Sequence, residues 1–553
     1  MVVINILFLC LMIAMNFYIG YLSRKKIIIN DFIEEKLIKI EKFIKRNIKL
    51  VPVFFVLFSA FFYLWKLNVV PLGLNVDEAG SLYDAISLSK YGVDRYLYHF
   101  PVYFINYGGG QNALYTYFVV ILFSLFGINL FIFRLPAALF GIVSILLFYI
   151  LIKNEKDNKT AFLGTLIMLI TPFFIMKSRW GLESYLFLPL LLISVFIFFN
   201  AINKNRKILF FCSGLLFGIT LYTYAISYII VPLLLMFSCS YLLYIKRVKL
   251  KDIIILFLPL FLLSIPLILM IFINKGIISN EIITNYFSIP KLWDYRGGEI
   301  SLSNVKTNLL YIWKVLFILD GLVWNAFPNY FTLYLISVPS IVYGFILSFI
   351  NSFNMIKKRK FGIDIIMILI FIIMFSFGLL IKDININKMN CIYISLVYFI
   401  SLSLVNIFII SRRCLLIILL MYSFMFFNFI YYYFNVYPKD YKDTGLFVSN
   451  DYDKAIDFAQ GIRKKNQYIC ADREVVQSYI YFLIHDKENP YVFNRDLVIV
   501  NNEIYSYKYY LFSFYVFNVN NIYITVNNSQ LYDNLKKMNL NEKKFNNYIV
   551  FYK

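Results

Sequence analysis

Two adjacent carboxylates, Asp77 and Glu78, follow directly on an apolar run, Val51 to Pro71, that is long enough to cross a bilayer. Ionisable groups at a hydrocarbon edge are costly and mark chemistry or transport more often than packing. A carboxylate in that position can act as a general base toward a hydroxyl group. A helix cap fits the pair equally well, because Asp and Glu favour the first turn of the helix that Ala79 begins.

Further polar groups collect on the same side once the chain is threaded through a membrane. Composition requires the threading: 61% of the 553 residues are hydrophobic, 15% are charged, and mean hydropathy is +0.72. The formal charge of +22 does not point to nucleic acid, since Lys and Arg of membrane proteins hold loops on the cytoplasmic side and meet anionic lipid. Six scattered cysteines and two histidines provide no metal-site or disulfide spacing.

Basic loops set the orientation. They are Lys153-Asn154-Glu155-Lys156, Lys204-Asn205-Arg206-Lys207, Lys246-Arg247-Val248-Lys249, Lys357-Lys358-Arg359-Lys360 and Arg412-Arg413. Their parity predicts twelve spans near 2–22, 51–71, 130–152, 160–177, 184–201, 208–223, 226–245, 252–273, 330–350, 363–381, 390–411 and 414–434. Ala113–Phe126 and Val305–Leu319 lie along the membrane face, the first too short to cross and the second interrupted by Lys306, Asn308 and Lys314. Residues 23–49 alternate apolar and basic positions, as in an amphipathic helix on the cytoplasmic surface. The predicted class is an all-α polytopic membrane protein with a small extracytoplasmic α/β domain at its C-terminus. Residues 1–49 form an extra N-terminal helix and surface segment, 50–436 the membrane module and 437–553 the outer domain. Short strands are expected near 468–471, 509–517, 522–526 and 548–552, with helices near 474–485 and 531–538.

This topology brings Asp77, Glu78, Lys90, Arg95, His99, Gly108–Gly110, Arg134, Lys177, Arg179, Glu183, Asp294, Arg296, Glu299 and Asp320 to the outer side. Arg134 is equally compatible with an interfacial anchor, and Arg179 with an i, i+4 ion pair to Glu183. Carboxylate plus guanidinium is what transfer from a lipid phosphate needs: a base for the acceptor proton and cations for the leaving phosphate. No Walker loop, dinucleotide fingerprint or nucleophile elbow occurs.

The ordered motifs Asp77-Glu78-Ala79, Gly108-Gly109-Gly110-Gln111, Arg134-Leu135-Pro136-Ala137, Ser178-Arg179-Trp180-Gly181-Leu182-Glu183 and Leu221-Tyr222-Thr223-Tyr224-Ala225 resemble bacterial GT-C membrane glycosyltransferases. The resemblance is to the family 39 branch, with the protein O-mannosyltransferases and the lipid A aminoarabinose transferase, over residues 50–435. It implies an inverting transfer from a polyprenyl-monophosphate sugar to a glycan, lipid or protein acceptor, with Asp77 as base and Glu78 beside it. Arg296, Arg179 and Arg95 become the expected phosphate ligands; Glu183, Tyr224 and Arg134 are expected to position donor or acceptor. Relatives are expected to carry Asn-Arg where this chain has Asn387-Lys388, which weakens a phosphate role there. No cofactor or divalent metal is demanded. The competing readings are a lipid-linked glycan polymerase or ligase, expected to lack the acidic pair, and a transporter or flippase, expected to carry charge at the bilayer midplane and repeated halves.

Overall fold

The computed structural model describes residues 1–25, 32–295, 297–317, 326–327, 330–440, 447–500, 503–512 and 517–553. Arg296 and Asp320 lie outside the described residues.

Among the described residues nine helices are long and apolar enough to cross a membrane. Three further predicted spans are shorter. Helix Val51–Leu64 has 14 residues, Asn158–Ile170 has 13 and Lys207–Thr220 has 14. Each ends where irregular backbone follows. Pro172, which has no N–H to donate, separates Asn158–Ile170 from the one-and-a-half-turn helix Pro172–Lys177. Helices Leu114–Phe126 and Val305–Phe317 occupy the two stretches assigned to the membrane face. Phe32–Arg46 is amphipathic and meets Val51–Leu64 at 92°. Its Glu34 and Glu41 pair with Arg412, tying it to the end of the bundle that carries the basic loops.

Small residues let the helices approach closely, as apolar surroundings favour. A Cβ on Gly344 would lie 1.7 Å from the Phe399 carbonyl oxygen of helix Ile392–Ile410. Helix Ser184–Lys204 is almost wholly buried, and it enters the bundle directly after Glu183.

The C-terminal domain contains a seven-stranded mixed sheet. Its strand order is 541–545, 548–552, 522–526, 469–471, 510–511, 503–507 and 498–500. The strands expected at 468–471, 522–526 and 548–552 form at 469–471, 522–526 and 548–552, the one expected over 509–517 is a strand only at Tyr510–Leu511 among the described residues, and helices form at Tyr479–Asp486 and Gln530–Lys536. A further helix, Asn450–Ile462, is absent from the sequence-based expectations. Its pattern is nonetheless helical, with Ser449 at the N-cap, two aspartates in the first turn, and buried Tyr452, Ala455, Ile456 and Ala459.

One helix joins the two parts. Val76–Tyr91 begins with the acidic pair and ends at Gly92 in a left-handed C-cap. It packs Ala79 and Tyr83 into the apolar core of the C-terminal domain. Its Leu82, Ala85 and Ile86 pack against Tyr115, Phe123, Phe133 and Leu186 of the membrane module. The Tyr83 hydroxyl donates to the Glu488 carbonyl at 2.8 Å. Just ahead of the helix, Leu74–Asn75 pairs antiparallel with Phe447–Val448. Gly73 permits that contact: it has φ 68°, and a Cβ there would lie 2.1 Å from the Val448 oxygen.

Candidate active site

The two carboxylates of the pair diverge. Asn75 is extended and caps the helix: its side chain accepts from the Asp77 N–H at 2.9 Å, and Glu78 reaches back to the Asn75 N–H at 3.3 Å. This is a capping box, so part of the pair's role is the helix-start one. Glu78 is fully buried. Its Oε1 accepts from Arg134 Nε at 3.0 Å and from the Gly181 N–H at 2.6 Å, and its Oε2 accepts from Arg134 Nη2 at 2.8 Å. A carboxylate enclosed in this way is a structural anchor and has no access to a substrate, which corrects its assignment as a catalytic neighbour. Asp77, one residue earlier, is exposed at the helix N-terminus, where the dipole favours an anion.

Arg134 is neither an interfacial anchor nor a substrate ligand. It is 0% exposed, and after the Glu78 bonds it donates to the carbonyls of Leu67, Pro71 and Gly73 at 3.3, 2.8 and 2.6 Å. All five of its N–H donors are thereby engaged. Its guanidinium also lies 5.1 Å from the Trp180 ring.

Arg179 makes no ion pair with Glu183. Its Nη1 donates to the carbonyls of Phe62 and Tyr63 at 2.7 and 3.1 Å, and its Nη2 to those of Trp65, Lys66 and Val70 at 2.8, 3.1 and 2.6 Å. It therefore caps the C-terminus of helix Val51–Leu64 from another part of the chain. Irregular backbone near the membrane survives only where its polar groups are satisfied, and these two arginines satisfy it across 62–73. Arg95 is also committed: Nε and Nη2 bind Asp84 at 3.0 and 2.7 Å, and Nη1 donates to the Tyr479 hydroxyl at 3.3 Å. The expectation that Arg179 and Arg95 hold a lipid phosphate is corrected on the same ground, since both guanidiniums are buried and already chelated. Asp84 was missed in the sequence, although it stands seven residues after Asp77, on the same face of one helix.

Glu183 faces Asp77. Burial, then the Asp77 charge, hold its carboxyl well above the ordinary range, against an opposing hydrogen bond from the Asn112 N–H. Its Oε2 makes no hydrogen bond among the described residues. Tyr103 and Tyr228 stand within electrostatic reach of Glu183, and Tyr224 within reach of Tyr103. The hairpin Tyr103–Asn106 and Gly109–Asn112 positions this group, turning at Tyr107-Gly108. Asn112 Nδ2 donates to the Tyr228 hydroxyl at 2.9 Å and to the Leu221 carbonyl at 3.2 Å, joining the hairpin to the Leu221–Ala225 turn. Tyr107, from the same hairpin, donates its hydroxyl to the Val76 carbonyl beside Asp77.

Asp77 and Glu183 thus lie within electrostatic reach of each other, Tyr224 connects to Glu183 only through Tyr103, and Glu78, Arg134 and Arg179 serve as the frame. Lys177 is buried against the Tyr185 ring at 3.8 Å and bonds to Asn387, while Lys388 pairs with Glu299 at 2.9 Å. No group of three or more His, Cys, Asp or Glu residues able to hold a metal occurs among the described residues.

A pH effect follows for Glu183. The folded state keeps a proton that the unfolded chain releases above the ordinary carboxylate range, so the group's contribution to stability falls as pH rises through that window. Glu183→Gln is expected to gain thermal stability relative to wild type, by more at pH 8 than at pH 5, and to retain more transfer activity than Glu183→Ala. A difference that does not change between the two pH values would show that Glu183 titrates normally.

The fold matches ArnT from Cupriavidus metallidurans bound to undecaprenyl phosphate, with TM-score 0.52 and 10% identity over 90% of this chain and 97% of that one. The apo state of that protein matches with the same values. The Archaeoglobus fulgidus oligosaccharyltransferase follows at TM-score 0.48 and 13% identity, over 79% of this chain and 63% of that one. Residues 112–273, which include Arg134, Arg179, Glu183 and Tyr224, match the family model described as dolichyl-phosphate-mannose-protein mannosyltransferase. No curated protein sequence matches the chain.

Proposed function

We propose that the protein is an inverting glycosyltransferase that moves one sugar from a polyprenyl-monophosphate donor to a hydroxyl acceptor at the extracytoplasmic edge of the membrane. The observation that carries this reading is the division of the acidic pair. Glu78 is locked into Arg134, while Asp77, next to it, is exposed and within electrostatic reach of Glu183.

In the proposed reaction the Asp77 carboxylate takes the acceptor proton as the acceptor oxygen attacks the anomeric carbon from the face opposite the phosphate. The bond from that carbon to the phosphate oxygen breaks, and its electron pair leaves with the lipid phosphate. Glu183, protonated, donates a hydrogen bond to a donor or acceptor oxygen. Tyr224 and its tyrosine neighbours hold the sugar ring. With Arg179, Arg95, Lys177 and Lys388 all committed to protein partners, Arg296 is the candidate cation for the leaving phosphate. A monophosphate can be neutralised by such side chains, so the scheme needs no divalent ion.

The basic loops lie at the ends of the helices opposite to Arg134 and Glu183, which supports the outward orientation of the site. The test is to incubate the purified protein with a panel of polyprenyl-monophosphate sugars and measure sugar release. Turnover of at least one monophosphate donor is expected. Use of oligosaccharide-diphosphate lipids alone would favour a polymerase or ligase.

A further inference from the structure

A groove of about 470 Å³ opens beside the catalytic hairpin, lined by Tyr98, Ser279, Asn280, Glu281, Lys291 and Trp293 together with Leu292. None of these residues takes part in the reaction described above. The geometry points to a subsite for a neutral, polyhydroxylated acceptor, a saccharide chain. This inference rests on the proposed transfer reaction and supplies the class of its acceptor.

The groove is a built surface. The Trp293 indole, 38% exposed, is backed by the Tyr96 ring at 5.1 Å between centroids. Its segment is fixed to the hairpin turn by the Asp294 N–H, which donates to the Gly108 carbonyl at 2.7 Å. Next to Gly108, Tyr107 reaches the backbone beside Asp77, so groove and proposed base lie on two sides of a single rigid turn. Glu281 is held in place by the Tyr98 hydroxyl at 2.8 Å and the Lys291 N–H at 3.2 Å, both donating to Oε2. Leu292 N–H is fixed in turn by Asn274 at 2.8 Å.

The chemistry selects the occupant. A partly exposed, rigid aromatic face accepts the apolar face of a sugar ring, and a carboxylate, a hydroxyl and an amide beside it bind ring hydroxyls. Among the described residues of the lining, one carboxylate, Glu281, is balanced by one ammonium, Lys291. A cationic peptide would meet Lys291, and an anionic lipid headgroup would meet Glu281. A neutral glycan meets neither cost.

The experiment uses the full-length protein in nanodiscs. Saturation-transfer NMR reports binding of neutral oligosaccharides, namely chitopentaose, maltopentaose and mannopentaose, and of a lysine-rich decapeptide. At least one oligosaccharide is expected to bind wild type and Asp77→Asn equally. Trp293→Ala is expected to weaken that binding at least tenfold, Trp293→Phe to restore much of it, and Glu281→Gln to weaken it severalfold. Binding of the peptide in preference to every sugar, absence of binding by all three sugars, or binding indifferent to Trp293 would each overturn the proposal. The readout does not involve turnover. If the donor panel shows no transfer but Trp293-dependent sugar binding persists, the reaction assignment has failed and the groove assignment stands. If transfer occurs with no sugar binding, the groove assignment has failed and the reaction assignment stands.

Discussion

Asp77→Asn is expected to reduce sugar transfer by on the order of 10³-fold, within the range of a lost general base. The substitution preserves size and leaves the capping box, made by Asn75 and Glu78, in place. The side chain is exposed, so stability should remain within about 0.5 kcal/mol of wild type. Donor binding should survive, because Asp77 serves the acceptor proton in the proposed scheme and the leaving phosphate is left to cations. The measurements are initial transfer rate, donor affinity and thermal unfolding on one preparation. Near-normal turnover in a folded variant would remove Asp77 from the base role.

The neighbouring residue should behave oppositely. Glu78→Gln leaves the Arg134 guanidinium buried without its counter-charge, a change that costs about 3–5 kcal/mol. Arg134→Met should be worse. It strands the Glu78 carboxylate and also removes the donors to the Leu67, Pro71 and Gly73 carbonyls. Both variants are expected to lose folded protein and activity in parallel, as read by thermal unfolding and transfer rate, whereas Asp77→Asn separates the two. A stable but inactive Glu78→Gln would return that residue to the chemistry.

The contrast between adjacent carboxylates marks the limit of what a sequence reveals. The long apolar helices and the separate short helix at 114–126 were legible, because hydropathy and charge parity act over whole segments. Which of two neighbouring acids faces outward was not, because Glu78 is defined by Arg134, 56 positions away, and by the Gly181 N–H, 103 away. The arginines are ambiguous for the same reason. A guanidinium near a membrane edge suits a phosphate or a set of orphan carbonyls equally well by composition. Only the irregular backbone at 65–73 reveals that the carbonyls were there to be satisfied. The early ends of three of the expected spans were not legible because hydropathy does not register where a helix stops: at Leu64 the apolar sequence continues while the helix does not.

The pairing of Leu74–Asn75 with Phe447–Val448 bears on biosynthesis. The stretch bearing Asp77 leaves the ribosome early, while its strand partner is translated more than 370 positions later. The Tyr83–Glu488 and Arg95–Tyr479 bonds extend the same dependence still further toward the C-terminus. A partially synthesised chain therefore carries its early helices before the partner of Leu74–Asn75 exists, and the start of the Asp77 helix is completed only once residues 447–448 have been made.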